Sequence, residues 1–515
     1  MTTLSGILVV FLATSVAAYN IAVFAPDISN SQLIFTKRVA EALAHGGHSV
    51  TIFIIQSFES PPPKVSVDPI VKMEFVNASS GHTILEFAAD MSDVTFKDIP
   101  MTDRRQWERF AIFEEMARSC EQLVINATFS EHLRSQKFDI AFTHIYTYCN
   151  IGVIKAAGVP SWIWLNSGPL AEHVADAIGV PAPPSYCSPT MMDGGENLTF
   201  IERIKSVAGH LITTPLTLRK TADVETAIFR KHHGSQFPHL NDLAKRVPLV
   251  MVNSNELYDF ARPTLHKVIH IGGIGIKNPQ RNELQGIFAN LTSAAREGIV
   301  VVTFGSFVPM HMMPDSWKES FARVFNDHPE VQFFMRYEQD DEWTSTLPKN
   351  VFHAKWLPQS DLLLHERCRG LITHGGYNSL QDALHAGVPA ITIPLFGDQP
   401  RNGHLAEKLG MGINAKKSQV SDGPWLSAAL GWLLRDSKYV TNAKKMRAMI
   451  AARPTMENLI PFGVHLDFVT YYSLDVMAFF LLVTAVTLWI LIRILKGLAA
   501  LCCGAKQKVE KSKSD

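Results

Sequence analysis

Residues 356–399 read WLPQSDLLLHERCRGLITHGGYNSLQDALHAGVPAITIPLFGDQ, and this stretch contains the local pattern that decides the fold. Within it, RGLITHGG (369–376) is an apolar run that ends in a glycine-rich turn, and NSLQDALHAG (378–387) has apolar residues at helical spacing. The free N–H groups at the start of a helix that follows such a turn point at the carboxyl edge of the sheet, where they bind anions. The stretch therefore predicts an anion site, most naturally for a phosphate or pyrophosphate.

Polar and flat side chains surround this turn in positions suited to a nucleotide. His374 can donate to the anion, Asn378 or Ser379 can cap the helix and contact it, and Asp382, one turn further on, suits a ribose diol. The other candidates are a flat face for a base, an amide for base or ribose edges, two acceptors for sugar hydroxyls and a second turn for phosphate: Trp356, Gln359, Asp398 with Gln399, and Ser306.

Outward from this stretch, short apolar runs alternate with helical patterns. GIVVVTFGS (298–306), VQFFMRY (331–337) and PAITIPL (389–395) indicate buried strands, while SWKESFARVFND (316–327) indicates a helix between them. This alternation predicts an α/β fold with a parallel sheet covered on both faces.

The first half begins with a βαβ pattern of its own. YNIAVFAP (19–26) and HSVTIFII (48–55) indicate strands, and QLIFTKRVAEALAHGG (32–47) indicates the helix between them. Ligands bind at the carboxyl ends of such strands, so the loop from Pro26 to Ser31 should face a cleft. A new strand begins at Pro248, so we predict that the body divides there into two α/β halves, residues 19–245 and 246–465, which would face each other across a cleft.

The two ends of the chain predict targeting and anchoring. Residues 1–18 resemble a signal peptide cleaved after Ala18, although no Lys or Arg precedes the apolar core. Residues 476–492 are uncharged and apolar, which predicts a transmembrane helix over 475–495 and a basic cytosolic tail over 496–515. Residues 19 to about 470 would then be lumenal or extracellular. Four sequons agree with this topology: Asn77, Asn126, Asn197 and Asn290.

Composition excludes some classes of function. The 515 residues carry a net charge of zero with His neutral, and no basic stretch of size precedes the tail, so a nucleic-acid partner is not expected. The six cysteines form no CxxC pair of the kind found in zinc ribbons, and no cluster has metal-ligand spacing. We therefore expect no metal.

The order W-x-x-Q, THGG, GVP and PLFGDQ closely resembles the signature of the UDP-glycosyltransferase family, of the membrane-anchored animal UDP-glucuronosyltransferase type. The resemblance implies a GT-B fold, two Rossmann-like domains facing a cleft, and inverting transfer of a hexose from a UDP-sugar to a small lipophilic acceptor. Glucuronate is favoured by family habit and glucose is the alternative sugar. The ending KSKSD, with Lys511 and Lys513, resembles the dilysine signal that retrieves such proteins to the endoplasmic reticulum, where they associate with one another or with relatives.

The resemblance also implies a role for each site residue. Trp356 and Gln359 would meet the uridine, Asp382 the ribose, and Asp398 with Gln399 the sugar. A further group would hold the pyrophosphate, with Arg262 reaching it less securely: Ser306, His374, Gly376, Asn378, Ser379 and Arg262. Relatives often have Glu where this chain has Asp382.

The catalytic dyad departs from the family pattern. The general base of the family is a His in the first loop, where this chain has Gln32, and the orienting acid lies where this chain has His144. Glutamine takes up no proton near neutral pH. Three readings stay open at this stage: His144 is the base, the acceptor supplies its own nucleophilicity as amines do, or the protein binds a UDP-sugar or a relative without transfer. For His144, the alternative to a role as base is a structural one, as a histidine at a strand end whose ring is satisfied by neighbouring backbone.

Overall fold

A computed structural model of the chain describes residues 18–59, 65–79, 81, 83, 95–99, 103–105, 111–213, 220–276, 283–452, 481–482 and 484–496. The expected signal peptide, apart from Ala18, lies outside these residues, as do 453–465 of the second predicted domain, 475–480 of the expected span and 497–515 of the tail. Residues 484–496 are helical. Among the described residues, no helix combines the length and the apolar character needed to cross a bilayer.

The first half contains a parallel sheet of seven strands in the order β3-β2-β1-β4-β5-β6-β7. Its strands are β1 (Asn20–Pro26), β2 (Ser49–Gln56), β3 (Val71–Asn77), β4 (Ile140–His144), β5 (Trp162–Asn166), β6 (Leu249–Val252) and β7 (Val268–His270). The helices of this half are α1 (Asn30–His45), α2 (Ala111–Ile125), α3 (Ala127–Gln136), α4 (Cys149–Ala157), α5 (Glu172–Ile178), α6 (Phe200–Thr213), α7 (Lys220–His233) and α8 (Leu240–Lys245).

The second half repeats the plan with a six-stranded parallel sheet in the order β10-β9-β8-β11-β12-β13. Its strands are β8 (Ile299–Thr303), β9 (Gln332–Arg336), β10 (Val351–Ala354), β11 (Cys368–Thr373), β12 (Ala390–Thr392) and β13 (Gly412–Asn414). The helices are α9 (Gly286–Ala294), α10 (Asp315–Asp327), α11 (Glu342–Ser345), α12 (Gln359–Leu364), α13 (Tyr377–Ala386), α14 (Gln399–Lys408), α15 (Lys417–Val420), α16 (Gly423–Arg435) and α17 (Ser437–Ala452), with a 3₁₀ turn at Met310–Met312.

Each sheet is buried on both faces because its central strands are apolar throughout. In β1, Phe24 packs into the core beneath α2 to α4 and α7, whereas Val23 packs with α1 on the opposite face. In β8, Val300 and Val301 divide in the same way between two cores. Successive side chains of a strand point to opposite faces, so an unbroken apolar run serves both layers. The predicted pair of Rossmann-like halves is confirmed.

The predicted boundary at residue 246 falls before the end of the first sheet. Strands β6 and β7 pair with β5 and with each other, so the change of sheet lies between His270 and Ile299. Sequence reasoning placed it too early because a strand at Pro248 looks the same whether it closes one sheet or opens the next. Both sheets belong to one compact unit, residues 1–450, and residues 451–515 form a second unit.

A disulfide and a buried carboxyl group hold the start of α4 in place. A disulfide joins Cys120 of α2 to Cys149, while Cys187 and Cys368 are free. Glu225 of α7 is fully buried, and its carboxylate accepts a hydrogen bond of 2.8 Å from the N–H of Tyr148. Burial raises the pKa of Glu225 to about 8. These contacts hold the segment that follows β4, which reaches the cleft.

Candidate active site

The carboxyl ends of both sheets open into one cavity of about 1450 Å³. The first half contributes the loop after β1 with the start of α1 and the segments after β4 and β5; the second half contributes the turns after β8 and β11. The predicted site residues that line it are Gln32, Ser306, Trp356, Gln359, His374, Gly376, Asn378, Ser379, Asp382, Asp398 and Gln399. His144 and Arg262 do not line it.

The ring of His374 lies between two glycines in the wall of the second half. A Cβ on Gly305 would come within 2.7 Å of the ring, and a Cβ on Gly376 within 2.5 Å, so neither position accepts a side chain. Burial lowers the pKa of His374 to about 4, and the positive charge of Arg336 adds to the effect. The imidazole is therefore neutral near pH 7 and can donate a hydrogen bond without carrying charge.

Helix α13 begins beside this ring with free backbone donors. Its N-cap is Gly376, which provides no side-chain capping bond, and Gly375 makes the preceding turn at a φ of +80°. The first N–H groups and the positive end of the helix thus remain available to an anion in the cavity. The predicted cap by Asn378 or Ser379 is not formed, because both residues lie inside the first turn.

Asn378 instead crosses to the first half. Its Nδ2 donates to the carbonyl oxygen of Ser31 at 3.0 Å, and its Oδ1 accepts from Nδ2 of Asn253 at 3.0 Å. Gln381 donates to the carbonyl oxygen of Asn253 at 2.7 Å. Helix α13 is therefore tied to the first turn of α1 and to the segment after β6.

A second polar cluster lies further along α13. Nε2 of Gln359 donates to Oδ2 of Asp382 at 3.1 Å, and the hydroxyl of Ser360 donates to the same oxygen at 3.2 Å. Trp356 precedes them after β10 and is 59% exposed although it lines the cavity, so its ring has a free face for a flat ligand. An indole face beside a carboxylate with orienting amides suits a nucleoside.

Asp398 and Gln399 lie at the start of α14, in the wall of the cavity. Oδ2 of Asp398 accepts from Nδ2 of Asn402 at 2.9 Å, and burial raises the pKa of this carboxyl. Oε1 of Gln399 accepts from the N–H groups of Leu395 and Phe396 at 2.8 and 3.1 Å. The expectation that Gln399 offers an acceptor is therefore wrong for its oxygen, which holds the preceding turn; its Nε2 remains as a donor.

The wall of the first half carries a cluster around Gln32. The carboxamide of Gln32 lies at the hydroxyl of Tyr146, which is 2.6 Å from Oγ of Ser167. Burial raises the pKa of the Tyr146 phenol, and the negative charge of Asp398 adds to this effect. Oε1 of Gln32 is buried without a hydrogen-bond partner among the described residues.

His144 faces the core and not the cavity. It is the last residue of β4 and is 2% exposed, with its ring edge-on to Phe35 and stacked with Tyr146. Burial lowers its pKa to about 3, so the ring takes up no proton near neutral pH. The suggestion that His144 is the base is therefore wrong, and its structural reading is the one that the geometry supports.

Arg262 is also displaced from the predicted position. Its guanidinium donates to the carbonyl oxygens of Leu170 at 3.1 Å and Pro181 at 3.4 Å, which fixes the segment around α5. The side chain is thus engaged by the first half, outside the cavity wall.

Sequence reasoning missed several residues that line the cavity, among them Tyr146, Ser167, Arg38 and Arg336. Tyr146 and Ser167 each follow a strand end, and Arg38 lies on the predicted helix α1. Arg336 ends β9, donates to the carbonyl oxygen of Lys355 at 3.2 Å and pairs with Glu338 at 3.1 Å. The run VQFFMRY, a buried strand ending in a cation, contained the signal for Arg336. Within the described part of the chain, no group of three or more His, Cys, Asp or Glu side chains is arranged to hold a metal ion.

Comparison with protein families and solved structures agrees with this geometry. The profile of the family described as "UDP-glucoronosyl and UDP-glucosyl transferase" matches residues 21–509. The "Putative UDP-glucuronosyltransferase ugt-47" of Caenorhabditis briggsae is 30% identical over 91% of this chain and 91% of its own length. UDP-glucuronosyltransferase 1A7 of Mus musculus is 26% identical over 92% of this chain and 91% of its own length.

Two solved structures share the fold. The glycotransferase of kitacinnamycin aligns with a TM-score of 0.53, and LpCGTa, solved in complex with UDP, aligns with a TM-score of 0.52. Each is 17% identical and covers 84% of this chain and 95% of its own. The two parallel sheets and their cavity therefore form a GT-B glycosyltransferase fold, and the chain is a UDP-glycosyltransferase that belongs to the UDP-glucuronosyl and UDP-glucosyl transferase family.

Proposed function

We propose that this enzyme transfers a hexosyl group from a UDP-sugar to a small lipophilic acceptor with inversion at the anomeric carbon. The observation that carries the proposal is the shared cavity. The second half contributes the start of α13 with His374 to its wall, and the first half contributes the Gln32 cluster. An anion site and an acceptor-facing amide in one cavity suit a displacement in which UDP leaves on one side and the acceptor attacks from the other.

The donor roles follow the chemistry of each side chain. Trp356 stacks on the uracil, Gln359 contacts its edge or the ribose, and Asp382 binds the ribose hydroxyls. The first turn of α13 and the neutral ring of His374 stabilise the charge that builds on the departing diphosphate. The residues proposed for the phosphates are Ser306, His374, Gly376, Asn378 and Ser379, and those proposed for the sugar are Asp398 and the amide nitrogen of Gln399.

The sugar is proposed to be glucuronate, with glucose as the alternative. The names of the relatives support glucuronate, because both the nematode and the mouse protein are called UDP-glucuronosyltransferases. Asp398 and the amide nitrogen of Gln399 can bind the ring hydroxyls of either sugar. No metal takes part in the proposed reaction.

The step that removes the acceptor proton is proposed to be weak. Gln32 lines the cavity at the position where the acceptor would bind, but its carboxamide cannot take the acceptor proton. Loss of a positioned base costs about 10²- to 10⁴-fold in rate, so hydroxyl acceptors should react slowly. Amines carry a free lone pair and lose their proton after attack, which favours amine acceptors. The alternative is a UDP-sugar-binding or partner protein without turnover, which glutamine in place of a base at position 32 also supports.

The proposed location is the membrane of the endoplasmic reticulum, with the catalytic halves in the lumen, one C-terminal span and a cytosolic tail. A disulfide between Cys120 and Cys149 agrees with an oxidising compartment. The sequons at Asn77, Asn197 and Asn290 lie on exposed residues, whereas Asn126 caps α3 by accepting from the N–H of Phe129. Association with copies or relatives in that membrane belongs to the same proposal.

The test measures UDP release and product mass from membranes that contain the full chain. UDP-glucuronate and UDP-glucose are offered in parallel with phenols, alcohols, amines and thiols, and Gln32→His is compared with the unmodified enzyme. Transfer that favours amines, with a gain in phenol transfer for Gln32→His, supports the proposal. Tight UDP binding with no product from any pair, and no gain for Gln32→His, would instead establish the binding-only alternative.

A further inference from the structure

Arg38 makes a charged contact from the acceptor helix to the donor half. The residue lies on α1, the helix that has Gln32 in its first turn, and its NH2 atom is 3.9 Å from Oδ1 of Asp382 on α13. The two side chains are 20% and 12% exposed, so solvent screens the pair little. Arg38 belongs to the first half of the enzyme and Asp382 to the second half.

The two oxygens of Asp382 are used differently. Oδ2 accepts hydrogen bonds from Gln359 and Ser360 at 3.1 and 3.2 Å, whereas Oδ1 faces Arg38. A separation of 3.9 Å is longer than a direct hydrogen bond, which spans about 2.7–3.2 Å. A hydroxyl oxygen can sit beside both atoms, accepting from the guanidinium and donating to Oδ1. The pair is therefore spaced for one bridging hydroxyl.

The stem of Arg38 is held by the segment that connects the two halves. Gly275 has a φ of +67°, and a Cβ there would lie 2.8 Å from both Cβ and Cγ of Arg38. Two residues earlier, a Cβ on Gly273 would lie 2.8 Å from the ring of His385, also on α13. The connection thus packs against Arg38 and α13 together, which fixes the guanidinium near the carboxylate.

We propose that Arg38 completes the ribose subsite from the opposite half of the enzyme, by donating to the ribose hydroxyl that Asp382 accepts from. This inference rests on the proposed function, in which the UDP-sugar lies along α13. It adds a donor-binding residue on the helix that also presents Gln32 to the acceptor. Nucleotide binding then favours the arrangement in which both halves meet, so donor binding and the positioning of Gln32 are linked.

The first measurement is the affinity of UDP for the full chain in detergent micelles, by titration calorimetry. Arg38→Ala and Arg38→Gln should each weaken UDP binding about 10-fold or more, because a charge-assisted hydrogen bond is lost. Lys37→Ala is the matched control, since Lys37 is the neighbouring cation on α1 and pairs with Glu41 of the same helix at 3.7 Å. Its UDP affinity should stay unchanged. Melting temperatures of all variants identify any that fail to fold.

The second measurement uses 2′-deoxy-UDP and 3′-deoxy-UDP as probes. The unmodified enzyme should bind one of these probes more weakly than it binds UDP. Arg38→Gln should show a much smaller difference in affinity between UDP and that probe, because the substitution and the missing hydroxyl remove the same contact. With turnover, the KM for the UDP-sugar should rise by about the same factor as the UDP dissociation constant.

The outcomes separate the inference from the function beneath it. UDP that binds the unmodified chain and folded Arg38→Gln equally well would overturn the role of Arg38 and leave the proposed function standing. If Arg38→Gln weakens the binding of UDP, 2′-deoxy-UDP and 3′-deoxy-UDP by the same factor, the inferred contact between Arg38 and a ribose hydroxyl is overturned. Absence of UDP binding by the unmodified, folded chain would instead overturn the proposed function.

Discussion

The hydroxyl of Thr36 lies 2.7 Å from Nε2 of His144 and 2.8 Å from the carbonyl oxygen of Gln32. A hydroxyl has a single proton, and the carbonyl can only accept, so Thr36 donates to Gln32 and accepts from Nε2–H of His144. The ring is thereby held as the neutral tautomer, with an unprotonated Nδ1 that is buried and has no partner among the described residues. Thr36 couples the end of β4 to the first turn of α1.

The first prediction concerns His144→Gln. The carboxamide can replace the Nε2–H donor to Thr36, so the enzyme should keep its kcat within about 3-fold, with an unchanged dependence of kcat on pH. Loss of a true base would cost about 10²- to 10⁴-fold. The measurement is the initial rate with one amine and one phenol between pH 6 and 9. A loss of about 100-fold in a variant whose melting temperature is preserved would contradict the structural role.

The second prediction concerns His374. Since burial lowers its pKa to about 4, the ring is neutral above that pH and its charge stays constant from pH 5.5 to 8. Titration of His374 should therefore cause no change of kcat between pH 5.5 and 8. His374→Ala should lower kcat about 10²-fold, as removal of one donor to a developing anion typically does.

His374→Gln is the control for the same site, because its amide can still donate. It should recover part of the rate lost in His374→Ala. Equal loss in both variants would mean that the ring acts by packing between Gly305 and Gly376 and not by hydrogen bonding.

The third prediction concerns Glu225 and the pH dependence of stability. The pKa of this carboxyl is raised from 4.5 to about 8 in the folded enzyme. A raised folded pKa means that the contribution to stability is complete below pH 4.5 and is lost as the pH rises through 8. Glu225→Gln, which removes the titration, should therefore show a smaller fall in melting temperature between pH 5 and pH 8.5 than the unmodified chain.

The matched control for Glu225→Gln is Glu121→Gln. Glu121 is a half-exposed carboxylate paired with Lys231 at 2.6 Å, and its pKa is lowered by that hydrogen bond. This substitution should leave the alkaline slope of the melting temperature as it is. An identical alkaline slope for Glu225→Gln and the unmodified chain would contradict the linkage.

The fourth prediction concerns the disulfide. Cys120 and Cys149 are separated by 29 residues, and closing a loop of that length stabilises a fold by roughly 3–4 kcal/mol in the chain-entropy account. The double variant Cys120→Ala/Cys149→Ala should melt several degrees lower and lose transferase activity at the same temperature. Cys187→Ala/Cys368→Ala should melt close to the unmodified chain, because those two thiols are free. Similar melting of both double variants would exclude a stabilising bridge.

The donor half of the site was predictable because its residues are close in sequence. The stretch from Trp356 to Gln399 runs from the turn after β10 to the start of α14, and its candidates follow strands or lie in the first two turns of helices, so spacing alone brings them to one edge of the sheet. Sequence could not reveal that Oε1 of Gln399 is used by its own turn, because that depends on backbone direction.

The acceptor half depends on contacts that sequence spacing does not encode. Tyr146 and His144 are two residues apart at the same strand end, yet Tyr146 lines the cavity while His144 packs under α1. The departure from β geometry after His144 decides which ring reaches the cleft. Arg38 meets Asp382 only because two sheets far apart in the chain face each other.

The closure of the first sheet by β6 and β7 has a consequence for biosynthesis. These two strands precede the second half directly, so the first half can complete its hydrogen-bonded ladder once residue 270 has left the ribosome. Domains made first generally fold first during synthesis. The second half is therefore made beside an already folded neighbour, and the cleft is assembled in the order in which the chain emerges.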